Sequence, residues 1–203
     1  MQFFVRALCL CLAMLAGAAG ATDRGAAPPA PPAAAPAPVS APIPILVYSA
    51  YTCPYCAQST TILTGLQKKY PGRLRLIYKH FPLGRDAQAL LPHLAAVAAA
   101  EQGKLDLMHA TLFEAVARGL DRNGLRMLAR GLKLDEKRFL TALDAASTRA
   151  AVEDDVMQAQ ALKVNATPTF YIEGFKLEGL HQAEVFERII EHKLAAGGPG
   201  NAP

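Results

Sequence analysis

Ile45-Leu46-Val47-Tyr48-Ser49-Ala50-Tyr51-Thr52-Cys53-Pro54-Tyr55-Cys56 is the stretch on which the fold turns. Ile45 to Tyr48 form a short apolar run with strand character. A turn containing Cys53 follows, and a helix is expected from about Pro54 to Gln67 or Tyr70, with Ile62, Leu63 and Leu66 on its inner face. Pro54 suits a first helical turn, where no intrahelical N–H partner is lost, and Pro71-Gly72 ends the helix. The two cysteines thus stand at a strand-to-helix junction. A helix start presents unpaired N–H groups and the positive end of the dipole, so a thiolate placed there is stabilised and its pKa falls. Cys53 is expected to be the exposed nucleophile. Cys56, about one turn later on the same face, is expected to be less exposed and to act as the resolving thiol.

Working outward, Leu74, Leu76 and Tyr78 alternate with Arg73 and Arg75 and predict a second strand. Residues 86 to 163 read as helical. The helices expected there lie near Leu90 to Glu101 (kinked or started at Pro92), near Lys104 to Ala117, after Asp121, after Asp135, and over about Thr148 to Lys163. Strand character returns at Thr169-Phe170-Tyr171-Ile172, with Glu173-Gly174 as a turn and Phe175 to Glu178 as the hairpin partner. A last amphipathic helix is expected from about Ala183 to Leu194. The order is β-α-β, a helical block, then β-β-α, an α/β fold. Thr167-Pro168 opens the third strand. Proline cannot donate to a ladder and can be cis there. A cis turn facing the Cys loop would leave the Thr167 backbone free to pair with an extended peptide.

The 203 residues carry 21 basic and 17 acidic side chains, a net charge of +4 spread without blocks of one sign, so nothing points to nucleic acid. Arg6 precedes an apolar run from Ala7 to Ala19, and Ala19-Gly20-Ala21 fits a cleavage site. Residues 1–21 are therefore read as a signal peptide, with an uncleaved short anchor as the alternative. Residues 22–44 alternate proline with alanine and read as an extended linker. The domain proper is expected over 45–196, with 197–203 as a flexible tail. Cleavage would remove Cys9 and Cys11, leaving Cys53 and Cys56 in the mature chain. A pair so closely spaced closes too short a loop to be a useful staple, and reactivity explains it better. Half of a zinc site is the competing reading. Structural zinc usually takes four ligands, cleavage would leave no second cysteine pair, and His80, His93, His109, His181 and His192 are scattered. No metal is expected.

With these residues in place the chain resembles the DsbA-like thiol-disulfide oxidoreductases, which have a thioredoxin-like fold with a helical insertion. The resemblance rests on Cys53-Pro54-Tyr55-Cys56, His80-Phe81-Pro82-Leu83, Glu101-Gln102-Gly103-Lys104 with Met108-His109, Ala166-Thr167-Pro168-Thr169-Phe170, and the glycines 174 and 179. It implies that Cys53 attacks, Cys56 resolves, the pair forms the redox-active disulfide, and Thr167 and Pro168 bind substrate beside it, with Pro54 and Tyr55 as motif neighbours. It also implies export to the periplasm, substrates that are exported polypeptides with free cysteines, recharging by a membrane redox partner, a monomer, and no cofactor beyond the cysteine pair. Alternatives are a reductase or isomerase of the same fold, a glutathione-dependent transferase or isomerase, and a non-catalytic binding module.

The sequence departs from the wider pattern in two places. Many thioredoxin-like proteins carry a carboxylate where this chain has Val47, as a proton relay. Lys79, Glu173 and Glu178 are substitutes by residue type only. The better-known oxidant of the family has histidine where this chain has Tyr55, which supplies no charge. A moderate depression of the Cys53 pKa and an intermediate reduction potential are therefore expected. Tyr51 and Thr52 flank the motif and are candidates to shape a peptide groove. His109 reads as a packed or capping residue, and His80 as structural.

Overall fold

The structure, a computed structural model, describes residues 41–196. The signal peptide, most of the linker and the tail lie outside the described residues. The linker's last residues do fall within them, and there the boundary shifts. Strand β1 runs Ile43–Ser49, so Ile43 and Pro44 belong to the sheet and not to the linker. Proline is tolerated at a strand's beginning; Ile43 itself enters the ladder by donating its N–H to the Arg73 carbonyl at 2.8 Å.

The remaining elements follow the expected order: α1 Pro54–Lys69, β2 Leu74–His80, α2 Ala87–Ala100, α3 Leu105–Ala117, α4 Arg122–Gly131, α5 Glu136–Asp144, α6 Ala146–Ala161, β3 Thr169–Ile172, β4 Phe175–Glu178 and α7 Ala183–Ala196. The sheet has the order β2-β1-β3-β4. β1 pairs in parallel with β2 and antiparallel with β3, and β3 pairs antiparallel with β4. The β3–β4 turn is two residues long, and both Glu173 (φ 49°) and Gly174 (φ 89°) have positive φ. That is the turn whose twist matches a hairpin.

Alternation along β1 divides the core. Ile43, Ile45 and Val47 face α1 and α7, where they meet Leu63, Leu66, Phe170, Ile172, Phe186 and Ile190. Burying each such side chain contributes about 1.5–3 kcal/mol. Tyr48 faces the other way, against Ala159 of α6 and Val164. The helical insertion has its own core around α2, which packs on α3, α4, α5 and α6. Ala95, Ala96, Ala98 and Ala99 are completely buried, and their small side chains permit that crowding. α2 begins before Leu90 because Asp86 caps it, accepting from the Ala89 N–H at 2.9 Å. Pro92 lies inside α2, neither starting nor ending it. Asp121 and Asp135 cap α4 and α5 in the same way. Cys53, Cys56 and Tyr51 belong to the insertion's core, so the motif sits where insertion and sheet meet.

Candidate active site

The site begins with the end of β1. Chain direction reverses over Ala50-Tyr51-Thr52, and Cys53 takes the N-cap position of α1 in an extended conformation (φ −92°, ψ 118°) with Pro54 at the first helical position. The Cys53 carbonyl accepts the N–H groups of Cys56 at 3.1 Å and Ala57 at 3.3 Å, which closes the first turn and puts Cys56 on the buried face. Both cysteines are free thiols.

Cys53 is more covered than an exposed nucleophile should be: it is 6% exposed, against 1% for Cys56. The reason comes from the other end of the domain. The Thr167–Pro168 bond is cis, and the Thr167 carbonyl stands 3.4 Å from Cys53 Sγ, accepting from the thiol. Gly179 donates its N–H to the Pro168 carbonyl at 2.7 Å and holds this loop to β4. Chain segments 114 residues apart therefore form one site. Thr52 and Tyr55 are exposed beside it.

The two thiols differ in acidity. Burial, the largest influence on Cys53, raises its pKa. Hydrogen bonds with the Thr167 side chain, with the backbone and thiol of Cys56 and with the Tyr55 backbone outweigh it, so Cys53 lies below the ordinary thiol value. The Thr167 carbonyl acts in the opposite sense, because it can accept only from the protonated thiol. Burial pushes Cys56 up to about 11, with the Cys53 charge adding to it. The Ser49 side chain and the Ala50 N–H (3.5 Å from Sγ) moderate that rise. An outer thiol more acidic than usual and an inner one less acidic suit nucleophilic attack followed by resolution.

The relay candidates are engaged elsewhere. Lys79 pairs with Asp155 at 2.8 Å, Glu173 with Lys193 at 2.8 Å, and Glu178 with Lys176. None is among the groups that act on Cys56. Val47 is buried in the sheet core. Tyr51 does not line a groove; it turns inward, 6% exposed, and its hydroxyl meets His109 Nδ1 at 2.8 Å. His109 is thus packed, as read, but also bonded to the active loop. His80 stands at its strand end with Nδ1 3.0 Å from His93 Nδ1. Sequence reasoning missed Ser49, Ala50 and the Tyr51–His109 contact as parts of the site. Ser49 and Ala50 look like ordinary turn residues, and the Tyr51–His109 partners are 58 positions apart.

A family model described as thioredoxin matches residues 39–192. The chain belongs to the thioredoxin family. Its five helices α2 to α6 stand between β2 and β3 as an insertion. Solved structures similar to it include a thioredoxin-like oxidoreductase from Silicibacter pomeroyi DSS-3, with 25% identity and a TM-score of 0.65 over 76% of this chain and 88% of that one. Another is the oxidoreductase DsbA from Xylella fastidiosa, with 19% identity and a TM-score of 0.64 over 79% and 90%. Among curated relatives, the Na(+)/H(+) antiporter NhaA of Herminiimonas arsenicoxydans is 30% identical over 158 residues, which are 76% of this chain and 24% of that protein. The chain spans about a quarter of the length of the curated relatives it matches. Among the described residues, no helix is long and apolar enough to cross a membrane.

Proposed function

We propose that the chain is an exported thiol-disulfide oxidoreductase that oxidises cysteine pairs in periplasmic polypeptides through Cys53 and Cys56. The observation that carries this reading is the placement of Cys53: a thiol of lowered pKa at a helix start, against the cis Thr167–Pro168 turn, with a protonated Cys56 behind it. In the oxidised enzyme a substrate thiolate attacks Cys53 Sγ. The Cys53–Cys56 bond breaks, and its electron pair leaves on Cys56, which takes up a proton. A second substrate thiolate attacks the substrate sulfur of the mixed disulfide and expels the Cys53 thiolate. The substrate loses two electrons, and the enzyme is left as the dithiol. Thr167, with its backbone beside the reacting sulfur, binds the substrate chain as an extended segment, and Pro168 fixes the turn that presents it. A membrane redox partner reoxidises the pair, and the enzyme works as a monomer.

Equilibration against glutathione buffers tests the direction of flow. With Tyr55 in the motif supplying no charge, the potential is expected above ~−270 mV, that of a cytosolic thioredoxin, and below ~−120 mV, that of a strong oxidant. Oxidation of a reduced, unfolded substrate should be lost in Cys53→Ser. A potential at the reductant end would replace oxidase by reductase, and activity surviving Cys53→Ser would remove the cysteine mechanism.

A further inference from the structure

Cys53 and Cys56 share one intermediary. The Cys53 N–H donates to the Ala50 carbonyl at 3.1 Å, and the Ala50 N–H donates to Cys56 Sγ at 3.5 Å. The pose of residue 50 therefore bears on both sulfurs. Its neighbour Tyr51 is held by its side chain: the hydroxyl contacts His109 Nδ1 at 2.8 Å, and the ring lies 4.8 Å from His93 and 5.0 Å from Phe113, centroid to centroid. His109 comes from α3 of the insertion and stacks on Tyr78 of β2, with ring centroids 3.8 Å apart and planes at 30°. Its Nε2 is buried without a hydrogen-bond partner among the described residues. Among the described residues, the Tyr51 hydroxyl is thus the one hydrogen-bonding neighbour of the ring of a histidine wedged between the active loop and the sheet.

We infer that Tyr51 and His109 are positioning residues for the redox pair, through which the helical insertion fixes the Ala50 backbone and so the setting of both sulfurs. The inference rests on the redox reading above, but its geometry does not depend on which substrate the pair serves. With the hydrogen bond in place, the Ala50–Cys53 turn is pinned from outside the motif, and Cys53 is held at the helix start, where the Thr167 side chain and the Cys56 and Tyr55 backbones favour its thiolate. Without it, the turn is free to relax, Cys53 loses part of its thiolate stabilisation, and the reduced form is less favoured. Burial keeps both partners neutral: His109 titrates at about 4, and Tyr51 is pushed far above the usual phenol value. The facing titratable groups are His93 on α2 and Tyr78 and His80 on β2, and burial holds all of them neutral as well.

Three variants separate positioning from packing. Tyr51→Phe keeps the ring and deletes only the hydroxyl. His109→Leu and His109→Asn remove the same ring, but Asn keeps a polar group near the position of Nδ1. The readouts are the pH midpoint of Cys53 alkylation and the equilibrium constant for reduction by glutathione. Tyr51→Phe and His109→Leu should move the midpoint up towards the ordinary ~8.5. Both should lower the constant by about threefold, ~14 mV at ~30 mV per decade for this couple. His109→Asn should stay near wild type in both readouts. Any other pattern overturns the assignment, above all a wild-type midpoint in Tyr51→Phe, or His109→Asn and His109→Leu behaving alike. A wild-type protein that fails to equilibrate with glutathione would instead refute the redox reading, and the alkylation midpoints would still decide the positioning.

Discussion

Cys53 and Cys56 occupy one helical turn, yet their surroundings pull them in opposite directions. Cys56 is the more deeply buried of the two, and burial takes it up to about 11. Cys53 collects enough hydrogen bonds to end below the ordinary thiol value despite its own burial. The thiolate is the reactive species, so the sign is fixed. At neutral pH Cys53 should be alkylated first, while Cys56 should resist until pH nears 11. Peptide mapping of singly alkylated protein checks this, and modification of Cys56 first would reverse the roles. In Cys56→Ala, mixed disulfides at Cys53 should persist because no inner thiol can expel the substrate, and in Cys53→Ala none should form. At this scale the sequence was legible where chemistry is local. The C-x-x-C spacing and the helix-start proline announce the pair. Val47 announces a missing carboxylate, but the hydrogen bonding that Ser49 and Ala50 bring to Cys56 depends on how the chain reverses after β1, which spacing does not encode.

Elements carry the next layer. Strand alternation and aspartate caps give clear periodicity and end signals, which is why the order of elements and most helix starts could be read in advance. Two boundaries were missed for identifiable reasons. Pro44 looks like linker, but it sits at the beginning of β1, where a proline does little harm to the ladder. Pro92 looks like a helix start, but the Asp86 cap begins α2 earlier. Glu101-Gln102-Gly103-Lys104, legible only as a resemblance, has a physical role in the structure. Gln102 clasps the start of α5 twice, donating to the Asp135 carbonyl at 3.2 Å and accepting the Asp135 N–H at 2.9 Å. It thereby ties the end of α2 to the residue that caps α5. Each such bond contributes about 0.5–1.5 kcal/mol, and exposure places these two at the lower end. Gln102→Ala should therefore lower unfolding stability by ~1 kcal/mol in denaturant titration and leave the Cys53 alkylation midpoint where it was. A shifted midpoint would mean that the insertion reaches the site through α5 as well as through His109.

Across the whole molecule, the seam between insertion and sheet is built from neutral histidines. His80 lies on β2, His93 on α2 and His109 on α3, with His80 Nδ1 and His93 Nδ1 3.0 Å apart and Tyr51 against both His93 and His109. Burial is the main reason that all three titrate below the ordinary histidine value. Asp155 opposes the shift at His80, and neighbouring histidine charges deepen it at His93 and His109. For a histidine whose pKa is lower folded than unfolded, the unfolded chain binds more protons between the two values. Stability is then complete above the unfolded pKa of ~6.5, falls as pH drops below it, and stops falling below the folded pKa. His109, moved from 6.5 to about 4, sets the window and alone accounts for a loss of ~3 kcal/mol across it at ~1.4 kcal/mol per pH unit. His80 and His93 add losses of the same sign. Carboxylates such as Asp144, held below its usual value by its hydrogen bond to Arg122, lose their contribution only at lower pH, so the histidine window stands apart. Denaturant unfolding at pH 7.5 and pH 4.5 should show the drop, and His93→Gln should flatten it by removing one buried proton site. Equal stability at the two pH values would mean that the seam opens to water and admits protonated histidines at little cost.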